Sequence, residues 1–140
     1  MIIADTGYWY ALMNRRDVHH QMAVRASQLY MKEKMITTSP VLTEVCHLLL
    51  DRIGNHAQVA FLAGIAESST LVHPLSKADL KKASLLMTRY ADLPMDFADA
   101  SLVLLAEELG HGRILSTDQR DFHTYRWKNH EPFQNLLISK

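Results

Sequence analysis

The sequence predicts an α/β protein: a three-layer α/β/α sandwich with helices on both faces of a central, mainly parallel sheet, in a single domain over residues 1–140. Three observations predict it. Short apolar, β-branched runs alternate with longer stretches of helical periodicity, the pattern of parallel strands joined by helical crossovers. Cap and breaker residues fall between those runs. The length of 140 residues suits one domain with a sizeable core.

The elements follow in order. Residues 2–4 (IIA) are a short buried strand, and residues 8–13 read as helix. Asp17 is a plausible N-cap for a helix over 18–34. Residues 35–38 (MITT) form a second strand. Ser39-Pro40 opens a helix, a capping residue followed by Pro at the first helical position. Its broad apolar face carries Val41, Leu42, Val45, Cys46, Leu49 and Ile53, and Gly54-Asn55 ends it. Residues 56–67 are helical again and 70–74 give a third strand. Ser76 with Asp79 resembles a capping box for a helix to about residue 90, which Leu93-Pro94 closes off. A further helix runs over 96–109 to Gly110, and a fourth strand over 113–116 ends at Thr117-Asp118. Residues 136–138 read as a last edge strand.

Composition excludes several classes. With 48% apolar residues the chain is globular rather than disordered. Lys+Arg and Asp+Glu are both 15, so the whole molecule has no strong attraction to nucleic acid or to an anionic membrane. A single cysteine, Cys46, cannot form an internal disulfide, which points to the cytoplasm. The first residues lack the basic region of a signal peptide, and no apolar run reaches transmembrane length.

The chemistry lies in the acids. Asp5 and Asp118 each stand just past a predicted strand, at the carboxyl edge where open parallel sheets bind ligands. Asp5 alone reads equally well as a turn or helix-capping residue. Glu44, about one turn into its helix, reads alone as a solvated surface acid. Asp96 and Asp99 suit an acidic capping box, although Asp99 lies beside the apolar stripe of Ala98, Leu102, Leu105 and Leu109, where a carboxylate wants a cation or hydrogen bonds. Asp118 also reads as the cap of a short helix. Together the picture changes: carboxylates crowded at one sheet edge raise one another's pKa unless a divalent cation sits among them. Oxygen donors without Cys or His suit Mg²⁺ or Mn²⁺, the metals of phosphodiester cleavage.

The succession IADTGYWYAL, SPVLTEVCHLL, MDFADASLVLLAEELG and ILSTDQRDF resembles the PIN-domain ribonucleases, and most of all the toxins of VapBC-type toxin–antitoxin pairs. The likeness covers nearly the whole chain and implies a PIN-like sandwich. It assigns Asp5, Glu44, Asp99 and Asp118 as the four acids of the site, with Asp96 auxiliary and Thr6 and Thr117 as supporting hydroxyls. It implies that Asp5, Asp99 and Asp118, with Asp96 beside them, hold one or two Mg²⁺ or Mn²⁺ ions. Glu44 then orients water, accepts its proton or completes a second metal site. The implied reaction is hydrolysis of RNA to a 5′-phosphate and a 3′-hydroxyl. The implied partners are a cognate antitoxin and a second copy of the chain.

Other residues are weaker candidates. Arg120 and Arg126, close to Asp118, together with the aromatic–basic run YRWK at residues 125–128, suit single-stranded RNA by stacking and phosphate contact; a packed Trp127 with solvated neighbours is the simpler reading. Arg15-Arg16 suit a phosphate or an acidic partner. Among eight histidines no pair has zinc-ligand spacing. TEVCHLLL and the run Tyr8-Trp9-Tyr10 read mostly as core, with a protein-binding patch as the other use. The rival functions are a PIN nuclease of RNA maturation without an antitoxin, and a module that binds RNA or protein without cleaving it. An aspartyl-phosphate phosphatase is disfavoured, since Asp5 is followed by Thr6-Gly7 rather than by x-Asp.

Overall fold

The structure is a computed structural model that describes residues 1–137. Its elements run β1 (Ile2–Ala4), α1 (Thr6–Met13), α2 (His20–Leu29), β2 (Met35–Thr38), α3 (Ser39–Arg52), α4 (Asn55–Glu67), β3 (Leu71–His73), α5 (Lys77–Arg89), α6 (Phe97–Leu109), β4 (Arg113–Leu115) and α7 (Gln119–Thr124). The hairpin β5 (Arg126–Trp127) and β6 (Glu131–Pro132) and the strand β7 (Gln134–Asn135) follow. Five strands form one sheet in the order β3-β2-β1-β4-β7, with every pairing parallel.

Successive strand residues point to opposite faces, and Ile2, Ile3 and Ala4 are all fully buried. Both faces of the central strand are therefore covered by helices. The chain lays β2 and β3 to one side of β1, then returns through α5 and α6 to place β4 on the other. The order reverses between β1 and β4, so the crevice of this sheet opens at their carboxyl ends. Asp5 and Asp118 come from the loops that leave those two strands.

Local signals explain most boundaries. α5 has the expected capping box of Ser76 and Asp79, and α6 has one of Asp96 and Asp99. α3 is capped at Thr38 rather than Ser39; Ser39 lies inside the helix with Pro40 in its first turn. The helix expected over 18–34 is shorter at both ends. The Asp17 carboxylate accepts from the His19 amide at 2.9 Å and its carbonyl from His20, which forms a turn before α2. At the other end the chain must turn back towards β2 after Tyr30. The strand expected over 136–138 pairs earlier, at Gln134 and Asn135, although the Leu136 amide still donates to the Ile114 carbonyl at 2.7 Å. It is an edge strand, so its paired residues are polar, and the apolar Leu137 packs beyond it; residue 138 lies outside the described residues. Among the described residues no helix is long and apolar enough to cross a membrane.

Candidate active site

One buried hydroxyl joins the first and fourth acids. Beyond the paired residues of β1 and β4, the Asp5 amide still donates to the Leu115 carbonyl at 3.1 Å, which holds the two strand exits side by side. Ser116, fully buried, donates from Oγ to Asp5 Oδ2 at 2.8 Å and accepts from the Asp118 amide at 3.0 Å. Asn135 on β7 fixes Ser116 from behind, accepting from its amide at 3.2 Å and donating to its carbonyl at 2.8 Å. Asp5 Oδ1 accepts from the Thr6 amide at 2.7 Å, so Asp5 is also the N-cap of α1. Gly7 follows because the first turn of α1 runs against Thr117: a Cβ at residue 7 would collide with the Thr117 hydroxyl.

The second pair of acids comes from α6, which one short polar contact seats on the end of β2. Thr38 Oγ1 and Ser101 Oγ are 2.6 Å apart, and Ser101 donates to the Ala98 carbonyl, also at 2.6 Å. The small side chains of Ala98, Ala100 and Ser101 let the helix approach that closely. The Asp99 amide donates to Asp96 Oδ1 at 2.8 Å, and the Asp96 amide donates back to Asp99 Oδ2 at 3.4 Å. Asp99 Oδ2 also accepts from the Tyr125 hydroxyl at 3.3 Å. Capping and clustering are thus compatible uses of the same two residues.

The electrostatics show how near these groups lie to one another. Asp5 is only 5% exposed. Burial lifts its pKa to about 6 against the pull of Ser116 and the Thr6 amide, and the charges of Asp118 and Asp96 push the same way as burial. Glu44, from the second turn of α3, is lifted to about 7 by burial, by a hydrogen bond with Asp96 and by the charges of Asp96 and Asp5. Asp99 rises to about 8 through burial and the charges of Asp5 and Asp96. Asp118 rises to about 6 through burial and the neighbouring Asp121 carboxyl, against the pull of the Asp121 amide. Thr6 Oγ1 is buried without a partner at ordinary hydrogen-bond range, yet lies close enough to Glu44 to favour its charged form. The fold thus brings Asp5, Glu44, Asp96, Asp99 and Asp118 together.

In its chemistry this donor set fits a hard divalent cation: every donor is oxygen, the carboxyls are partly desolvated, and a positive charge would lower their raised pKa values. In its geometry Asp5, Asp96, Asp99 and Asp118 are each engaged in local hydrogen bonds, and among the described residues no three Asp, Glu, His or Cys side chains are gathered closely enough to hold an ion as they stand. Taking up an ion means drawing some of these carboxylates off their present hydrogen bonds.

The two arginines part company. Arg120 is 79% exposed, with Nε 3.3 Å from Asp121 Oδ1. Arg126 donates from one guanidinium nitrogen to the carbonyls of His123, Thr124 and Tyr125, closing the end of α7. Trp127 packs in the β5–β6 hairpin and donates to the Pro132 carbonyl at 3.0 Å. Sequence reasoning missed Ser116, Asn135, Tyr125 and the buried Asp121. Ser116 and Asp121 both stand in ILSTDQRDF beside Asp118, and Tyr125 opens the run YRWK, read there only for RNA stacking; Asn135 reaches the site across the fold.

Known proteins resemble this chain in sequence and in fold. Over 94 residues the chain is 28% identical to Ribonuclease VapC26 of Mycobacterium tuberculosis (strain ATCC 25618 / H37Rv), covering 67% of this chain and 70% of that protein. In structure it matches the crystal structure of Mycobacterium tuberculosis VapC20, described as a sarcin–ricin loop cleaving toxin. The TM-score is 0.77 at 25% identity, over 86% of this chain and 92% of the other. No family model matches the chain. The likeness to PIN-domain, VapC-like toxins therefore holds in sequence and in structure, and the fold is PIN-like.

Proposed function

We propose that this chain is a Mg²⁺- or Mn²⁺-dependent endoribonuclease and the toxin of a toxin–antitoxin pair. One observation carries the reading: four sequence-distant stretches deliver five carboxyls to the crevice between β1 and β4, and Asp5, Glu44, Asp99 and Asp118 among them have raised pKa values. The two VapC relatives, one named a ribonuclease and the other described as a sarcin–ricin loop cleaving toxin, support it.

Asp5, Asp99 and Asp118 are the residues to hold the ion, with Asp96 beside them. When bound, a divalent ion supplies Lewis-acid stabilisation of charge on the phosphate and makes water acidic enough to attack near neutral pH. The protein's own part is positioning and proton transfer. Ser116 fixes Asp5 relative to the Asp118 backbone. Tyr125 holds one oxygen of Asp99. Glu44, half-buried beside Asp96, is placed to accept a proton from attacking water. Thr6 and Thr117 line the start of α1, where the crevice opens.

A protein partner is supported by apolar surface rather than by the aromatic run. Tyr8, Trp9 and Tyr10 are buried, whereas Leu50 on α3, Ile53 just after it, and Val59 and Leu62 on α4 are exposed. That face suits an apolar helix of an antitoxin or of a second copy. Action on RNA in the cytoplasm belongs to the same proposal.

The test is cleavage of RNA by purified protein with Mg²⁺, Mn²⁺ or EDTA, with Asp5→Asn and Asp99→Asn as controls. The expected result is ion-dependent cleavage leaving 5′-phosphate ends and lost in both variants. Cleavage that survives EDTA, or persists in both folded variants, overturns the assignment.

A further inference from the structure

Beside the acids lies an apolar groove of ≈ 700 Å³, walled by Pro40, Leu75, Leu80 and Phe97 and closed at one end by Glu44 and Asp96. Phe97 is the first residue of α6 and 37% exposed, and Leu80 is 51% exposed. Their far sides line a second hollow of ≈ 510 Å³ with Met87, so the apolar surface runs on from the acids along α5. Thr43 and His47, one helical turn apart on α3 and both exposed, also line it, the Thr43 hydroxyl donating to the Ser39 carbonyl at 3.0 Å.

We propose that this groove receives an unpaired nucleobase of the RNA substrate, the one next to the scissile phosphate, stacked on Phe97. The inference rests on the nuclease reading of the acid cluster and adds how that site grips its substrate. Three features select the occupant. The groove shares Glu44 and Asp96 with the acid cluster, so whatever fills it lies within a nucleotide's length of the reacting bond. Among the described residues no Lys or Arg lines it to pair a phosphate, and its acidic end accepts from the amino groups on base edges, so the uncharged ring of a nucleotide enters rather than its backbone. An exposed aromatic ring against aliphatic walls is the platform on which single-stranded bases stack. Phe97 is thus a specificity residue outside the four acids.

The test uses short single-stranded RNA carrying 2-aminopurine beside the cleaved bond, bound to Asp5→Asn protein so that no reaction follows. Stacking on Phe97 quenches the probe. Adding Phe97→Ala restores its fluorescence and weakens binding about tenfold, and Phe97→Trp keeps both quenching and affinity. In the active protein, Phe97→Ala lowers kcat/KM about tenfold on intact RNA but leaves cleavage of RNA abasic at that position unchanged. Equal effects of Phe97→Ala on intact and abasic RNA, or unchanged quenching, overturn the proposal while leaving the nuclease reading in place. A Phe97→Ala variant that turns a dimer into a monomer in light scattering overturns it in favour of a second copy as the occupant. Failure of the parent protein to cleave any RNA removes the nuclease reading and this one with it.

Discussion

Asp5 shows how one residue serves both fold and chemistry. It caps α1, hydrogen-bonds Ser116 and is almost fully buried, yet its pKa stands at about 6 rather than the ordinary 3.8. A carboxyl whose folded pKa is raised favours the folded state only while it is protonated. That advantage is complete below about 3.8 and is lost as pH rises through about 6. Asp5→Asn keeps the acceptor for the Thr6 amide and removes the buried charge. It should raise stability by about 1–2 kcal/mol at pH 7.5, since a tenfold change in proton affinity is worth about 1.4 kcal/mol and Asn recovers only part of the hydrogen bonding. Urea unfolding should show that gain shrinking to nothing near pH 3.5; an equal gain at both pH values would mean that burial of the charge is not its source. Tyr125 is the complementary case. Tyr125→Phe keeps the ring packed on Phe122 and Tyr90 but takes the donor from Asp99. The Asp99 pKa then climbs further, and the acid limb of a cleavage pH profile should move to higher pH. A uniform drop in rate with an unmoved profile would point instead to a packing role.

At the scale of elements, the closest fit is between the first turn of α1 and the loop after β4. Gly7 exists for that approach, and Gly7→Ala should cost about 1–3 kcal/mol, the usual range for overpacking. The same change displaces Thr117 and, through it, the Asp118 loop, so cleavage should fall with stability. The double variant Gly7→Ala/Thr117→Ala removes the colliding hydroxyl and should recover part of the loss in thermal unfolding; strictly additive losses would place the strain elsewhere. Elements like these also mark how far the sequence could be read. β1, β2 and the two capping boxes were legible because their signals are local: a run of β-branched residues, an acid three positions after a cap. Asp5, Asp96, Asp99 and Asp118 could be picked out because they stand at strand exits or a helix start, which the topology puts on one edge, whereas Glu44, inside α3, was picked out only by the family resemblance. α2 was over-extended because the Asp17 turn and the return to β2 depend on neighbours that periodicity does not see. The β5–β6 hairpin and β7 escaped because strands of two residues carry almost no pattern. Ser116, Asn135 and Tyr125 escaped for a related reason. Asn135 meets Ser116 across 19 positions and Tyr125 meets Asp99 across 26, and only the folded sheet brings them within reach.

Across the whole molecule, a formal net charge of zero conceals a polarised sheet. At the amino ends of the strands, charges are paired: Glu33 takes both guanidinium nitrogens of Arg113, at 2.6 and 3.0 Å, and the chain's amino group at 3.5 Å. Those partners hold Glu33 down at about 2, ionised at any working pH. At the carboxyl ends, acids meet acids, and Asp5, Asp118, Glu44 and Asp99 stand at about 6, 6, 7 and 8. A divalent ion entering that end must displace protons, because only the ionised carboxylates bind it. Its affinity should therefore tighten at least about tenfold between pH 6 and pH 8.5, as the more basic of these groups deprotonate. The ion-free protein should lose stability over the same interval, since the raised carboxyls charge without a counter-ion. Titration calorimetry with Mn²⁺ at the two pH values measures the first effect, and thermal unfolding with and without the ion measures the second. Glu33→Gln, at the far end of the sheet, should leave the ion's pH dependence untouched. An affinity that stays flat over this range would show that the ion does not meet the raised carboxyls at all, and the site would have to be sought away from the crevice between β1 and β4.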